Sequence, residues 1–165
     1  MNLSIHPLSD LPAKSTPNDA AGVGGDFPID AAAIDRLDAS FAALAERGEA
    51  LTRVFYDDLF RRVPAVRAMF PDDMDVQRQK LLATLAWVVA HLRRRDEMLA
   101  AVDALGRRHR GYGATAAHYP VVASCLLAAM RTVGGAAFDD DAADAWETAI
   151  GLIGERMIRA AETAE

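Results

Sequence analysis

Cysteine is nearly absent: Cys125 is the one thiol among 165 residues. It stands inside the apolar run Val121–Met130, so no disulfide can form within the chain and a buried structural thiol is expected. Proline and glycine are scarce outside a few places. Four of the seven prolines (Pro7, Pro12, Pro17, Pro28) and the run Gly22-Val23-Gly24-Gly25 crowd into Met1–Pro28, which therefore reads as a flexible N-terminal extension over residues 1–28. That segment has neither the basic start nor the apolar middle of a signal peptide. No apolar stretch reaches the roughly 18–20 residues of a membrane span, so the cytoplasm is the expected compartment. Basic residues are outnumbered, 18 Lys and Arg against 24 Asp and Glu for a net charge of −6. Beyond the short clusters Arg93–Arg95 and Arg107–Arg110 there is no broad basic face, which excludes nucleic acid as an expected partner. Period-two alternation bounded by turn residues is missing too, and with it the case for a sheet.

What is present suits helices. The apolar share is 52%, rich in Ala and Leu, which lose little on entering a helix. The length suffices for one domain with a continuous core, residues 29–165. Asp30 is placed to cap a helix to about Arg47, with Ile34, Leu37, Phe41 and Leu44 on one face. A second helix runs from about Glu49 and stops before Pro64, a short turn of helix spans Pro64–Phe70, and Pro71 ends it. Further helices follow over about Val76–Leu92, Glu97–Arg110, Ala116–Val133 and Asp139–Ala161. Gly111, Gly113 and Gly134-Gly135 punctuate them. No internal repeat is present, so the expected class is a compact all-α domain.

Three polar residues extend apolar helical faces. His109 follows Leu105 by four residues and Ala101 by eight, so its imidazole points where that face packs, and Gly106 beside it would admit a bulky planar group. A neutral imidazole is a good ligand for haem iron, although a lone histidine on such a face is more often an ordinary core residue. Gln77 prolongs the stripe of Leu81 and Leu85 by one turn, and Tyr56 stands beside Phe55, three residues before Leu59. Singly, a solvated glutamine and a core tyrosine are the commoner readings.

The stretches Phe55-Tyr56-Asp57-Asp58-Leu59-Phe60, Pro64-Ala65-Val66-Arg67-Ala68-Met69-Phe70, Leu105-Gly106-Arg107-Arg108-His109 and His118-Tyr119-Pro120, with Asp144-Ala145-Trp146 further on, resemble the single-domain bacterial haemoglobins. These are relatives of the globin module of flavohaemoglobins. The resemblance runs in order from about Ile29 to the C-terminus, with 32 residues between Gln77 and His109 and ten between His109 and Tyr119. It implies a globin fold of six to eight helices enclosing one haem b. His109 is then the proximal iron ligand, Phe70 the aromatic wedged against the porphyrin, and Leu105 part of the haem contact. Tyr56 and Gln77 become the distal hydrogen-bonding pair, Leu81 the apolar residue above the iron, Lys80 a propionate partner, and Tyr119 a brace for the histidine. The implied ligands are O2, NO or CO. Donors as strong as Tyr56 and Gln77 favour slow oxygen release, hence storage, scavenging or oxygen chemistry over rapid delivery.

The sequence also departs from that family. Fifteen residues after Trp146, where flavohaemoglobins carry a glutamate that polarises the proximal histidine, stands Ala161, and Ile150 replaces a common tyrosine. There is no room for a reductase module, so nitric oxide dioxygenase activity would need a separate reductase. Three rival readings stay open: that enzyme or a weak peroxidase, a gas sensor with Met1–Pro28 as a partner-binding tail, and a helical scaffold without cofactor. His91 lies fourteen residues, about 21 Å of helix, beyond Gln77, too far for a second axial ligand. His118 reads as a surface or capping residue and His6 falls in the extension. Oligomeric state is open.

Overall fold

The computed structural model describes residues 27–163. Most of the expected extension, including His6, lies outside the described residues. Its last two residues do not: Phe27 is 2% exposed and belongs to the core, and its carbonyl accepts a hydrogen bond of 2.7 Å from Arg95. The packed body thus takes in Phe27, two residues earlier than the boundary expected at Ile29.

Six α-helices follow in order: α1 Ala31–Ala45, α2 Gly48–Arg62, α3 Asp75–His91, α4 Arg95–Gly111, α5 His118–Gly134 and α6 Asp140–Glu162. Short 3-10 helices at Pro64–Met69 and Gly135–Ala137 join them, and the described residues contain no strand. Local chemistry explains the ends. Asp30 and Asp139 cap α1 and α6, their carboxylates accepting the amides of Ala33 and Ala142 at 2.7 and 2.8 Å, which satisfies donors the first turn leaves open. Gly113 (φ 88°) and Gly135 (φ 53°) take positive φ after α4 and α5, which side chains resist.

Leu37, Leu44, Leu51, Met98, Val102, Cys125 and Met130 are among the most deeply buried side chains of the core. A buried hydrogen bond of 2.9 Å from Trp146 Nε1 to Ser40 Oγ ties α6 to α1, and Ser40 in turn donates to the Arg36 carbonyl. Cys125 is buried, as expected, with burial pushing its thiol up to about 11. One expectation needs correction. Residues His118–Ala137 are long and apolar enough, by length and composition alone, to cross a membrane, because the few polar residues that interrupt the run leave its mean hydropathy high. In this fold Cys125, Leu126, Ala129, Met130 and Val133 of that stretch are core residues.

The tightest crossing is between α4 and α6. A Cβ added to Gly106 would stand 2.4 Å from the Met157 carbonyl oxygen and 2.7 Å from its Cα. Gly106 therefore admits the backbone of α6, and not the planar group expected from the sequence. One turn earlier on α4, Asp103 receives Nε and Nη2 of Arg156 at 2.6 and 2.7 Å. The Arg156 hydrogen bonds hold the Asp103 carboxyl below its ordinary value, so the pair stabilises the fold above the unfolded carboxylate value of about 4 and ceases to as pH falls through the lowered folded one. Asp103→Asn is expected to cost about 1 kcal/mol at pH 7. That deficit should shrink in urea titrations taken below pH ~4; a deficit independent of pH would contradict it.

Candidate functional site

Two groups of residues matter. The first is built by α2, the corner after it and the start of α3. The 3-10 helix Pro64–Met69 begins on proline, whose fixed φ suits a first turn, and delivers Phe70 in extended conformation. Tyr56 and Gln77 are 4% and 6% exposed, although one lies in mid-α2 and the other in the first turn of α3. They meet across the helices: Gln77 Nε2 donates to the Tyr56 hydroxyl oxygen at 3.0 Å. Around Tyr56 stand Phe55, Phe60 and Phe70 at ring-centroid distances of 4.8, 5.7 and 5.6 Å, the first and last edge-on. This apolar setting pushes the Tyr56 phenol up to about 12, burial outweighing the opposing hydrogen bond from Gln77. Tyr56 is therefore a neutral O–H donor across the physiological range. Since its oxygen already accepts from Gln77, its hydrogen remains available to a third group.

The second group lies at the end of α4. His109 Nδ1 is 2.9 Å from the Leu105 carbonyl oxygen. A carbonyl can only accept, so Nδ1 carries the proton and Nε2 the lone pair. Burial pushes the imidazole below its ordinary value, outweighing the Leu105 hydrogen bond; the ring is neutral at pH 7. Tyr112 lies at 6.3 Å between ring centroids. A Cβ added to Gly113, four residues beyond His109, would lie 3.8 Å from the methyl of Met69, the residue before Phe70.

Leu81, Leu85, Val88 and Leu105 are half-buried against the core. Tyr119, at the start of α5, is half-buried beside Gly154 of α6, and burial raises its phenol. No hydrogen bond joins it to His109 among the described residues. Lys80 is half-buried, without an ion-pair partner among the described residues. Ala161 presents its backbone carbonyl to Arg110, the residue after His109, at 2.6 Å. His91 stacks on Trp87 at 3.9 Å, and His118 accepts the Thr115 amide in the turn before α5. No group of three or more His, Cys, Asp or Glu converges as a metal site among the described residues. Sequence reasoning passed over Phe60, Arg67, Tyr112 and the Asp103–Arg156 pair. Tyr112 was within reach, three residues past His109 on the same side of the helix; the ion pair, 53 residues apart, was not.

A family model described as Globin matches residues 53–157. The chain belongs to the globin family. It is 34% identical over 123 residues to a flavohemoprotein of Bordetella pertussis, covering 73% of this chain and 31% of that one. A flavohemoprotein of Bacillus subtilis is 29% identical over 133 residues, 79% and 33% of the two chains. The globin thus spans about a third of the length of these curated relatives. Among solved structures, a bacterial globin from Campylobacter jejuni superposes with a TM-score of 0.71 at 26% identity, over 81% of this chain and 96% of that one. The family and its flavohemoprotein relatives imply a haem cofactor.

Proposed function

We propose that this globin reversibly binds oxygen, and other diatomic gases such as NO and CO, at a five-coordinate haem b held by His109, for oxygen carriage, storage or scavenging. The observation that carries the reading is the state of His109: a half-buried, neutral imidazole whose Nδ1 proton is committed to the Leu105 carbonyl, leaving the Nε2 lone pair for a metal. That backbone bond also sets the ring's orientation, as partners of metal-binding histidines commonly do. The residues fit the group in a second respect. The half-buried Leu81, Leu85, Val88 and Leu105 offer apolar surface suited to a porphyrin, and Phe70 offers an aromatic edge.

Haem would supply a ferrous iron able to bind a diatomic gas. Tyr56 donates its hydroxyl hydrogen to a polar ligand there, and Gln77 holds the phenol oxygen so that this hydrogen points away from the amide. Leu81 and Phe70 exclude water. Lys80 and Tyr119 are assigned lesser roles, toward a propionate and the proximal side. The absence of an acid at Ala161 leaves His109 without a carboxylate to make it more electron-donating, which favours binding over oxygen activation.

Titration with haemin is expected to give one equivalent of a Soret-absorbing complex that shifts on reduction and on adding CO or oxygen. In that complex Tyr56→Phe should speed oxygen release about 10-fold or more, the worth of a hydrogen bond to a charged acceptor. Failure to take up haemin would overturn the reading, and an unchanged release rate would remove Tyr56 from it. Continuous NO consumption with an added reductase would favour the dioxygenase instead.

A further inference from the structure

The corner that presents Phe70 is held by one side chain. Arg67 Nη1 donates to the carbonyls of Phe70 and Pro71 at 3.1 and 3.0 Å, and Nη2 reaches that of Asp72 at 3.3 Å. In return, the Phe70 amide donates to the Arg67 carbonyl at 3.1 Å. The backbone of Phe70 is thereby tied at both its N–H and its C=O to the same residue. The Arg67 guanidinium carbon also lies 5.2 Å from the centre of the Phe60 ring. Phe60 meets the Phe70 ring edge-on at 5.4 Å, and both rings contact Tyr56. Pro71 can donate no bond of its own, and without Arg67 the corner would keep, among the described residues, the single turn bond from Phe70.

We propose that Arg67 is a positioning residue for the gas-binding side. By closing the Phe70–Asp72 corner and packing on Phe60, it holds the Phe70 ring against Tyr56 and so fixes where the Tyr56 hydroxyl points. The proposal rests on the haem reading above for its effect on ligands, but the closure of the corner stands independently of it. The residue type matters. A planar guanidinium can fork to several carbonyls while stacking on a ring, whereas a lysine ammonium is a point charge that cannot do both.

The test compares wild type, Arg67→Ala and Arg67→Lys in the full chain, with and without haemin. In the haem complex, Arg67→Ala should shift or split the infrared band of bound CO, which senses the distal donor. It should also speed oxygen release about 3- to 10-fold, with Arg67→Lys between it and wild type. In a Tyr56→Phe background, Arg67→Ala should add less than 2-fold, because the effect passes through that hydroxyl. In the haem-free chain, amide exchange at Phe70 should accelerate at least 10-fold while amides of α6 keep their protection. A folded Arg67→Ala chain with unchanged CO band, release rate and Phe70 exchange would overturn the proposal, as would an equal effect in both backgrounds. If Arg67→Ala does not fold, an Arg67→Lys chain indistinguishable from wild type in these readouts would overturn it. A wild type that takes up no haemin would defeat the haem reading, while Phe70 exchange would still decide whether Arg67 closes the corner.

Discussion

With His109 replaced by leucine, the chain is expected to fold and to lose its hold on haem. The imidazole makes one polar contact, to a carbonyl within its own helix, and a leucine at this half-buried position forfeits only that bond. The change in unfolding free energy of the haem-free chain should stay within about 1 kcal/mol. Haem affinity should fall much further. Groups that merely hydrogen-bond a metal ligand already cost about 10–100-fold when removed, so loss of the ligand should exceed roughly 100-fold. The contrast between an intact fold and a lost cofactor is the informative result, measured by urea unfolding beside haemin titration. Haem retained at wild-type affinity would show that His109 is an ordinary residue of an apolar face.

The second large effect is on stability. Gly106→Ala adds one methyl group, which ordinarily favours a helix by about 1 kcal/mol. Here the methyl would press on the Met157 backbone, at 2.4 Å from its carbonyl oxygen, and a backbone cannot turn aside as a side chain can. The helices must part, at a cost of about 3 kcal/mol or more, the upper range for overpacking. Gly151→Ala supplies the control, since a Cβ there meets nothing within 4 Å and should stabilise by about 0.5–1 kcal/mol. Thermal melts of the two variants should therefore move in opposite directions; a common direction would mean that the α4–α6 crossing is slack. His109 lies three residues beyond Gly106, so parting the helices should also weaken haem binding, to a smaller degree than loss of the imidazole.

Helix order and ends were legible because their signals are local. Asp30 and Asp139 cap the helices they precede, Pro64 opens a short turn, and Gly113 and Gly135 take positive φ after helices. Each depends on a few neighbouring residues. Tyr56, Gln77 and Phe70 were also within reach, Gln77 because it prolongs an apolar stripe and all three because of the resemblance to bacterial haemoglobins, and the structure does bring those three together. Other features were not. Gly106 looked like an opening for a planar group because an absent side chain shows space without showing what fills it. Phe27 looked like part of a tail because proline and glycine dominate its neighbours, while its burial depends on helices far along the chain. Arg67 is one of several arginines in the sequence, and nothing in its neighbours foretells a guanidinium folded back on three carbonyls.

By itself, then, the sequence determined an all-α chain, the ends of its helices and the faces carrying His109, Tyr56 and Gln77, because periodicity and capping act over one or two turns. Tertiary structure alone decided that Gln77 reaches the Tyr56 oxygen, that α6 passes over Gly106 and that Asp103 pairs with Arg156. Such contacts depend on helix crossings and rotamers set by the whole core, where a shift of an ångström exchanges a hydrogen bond for a clash.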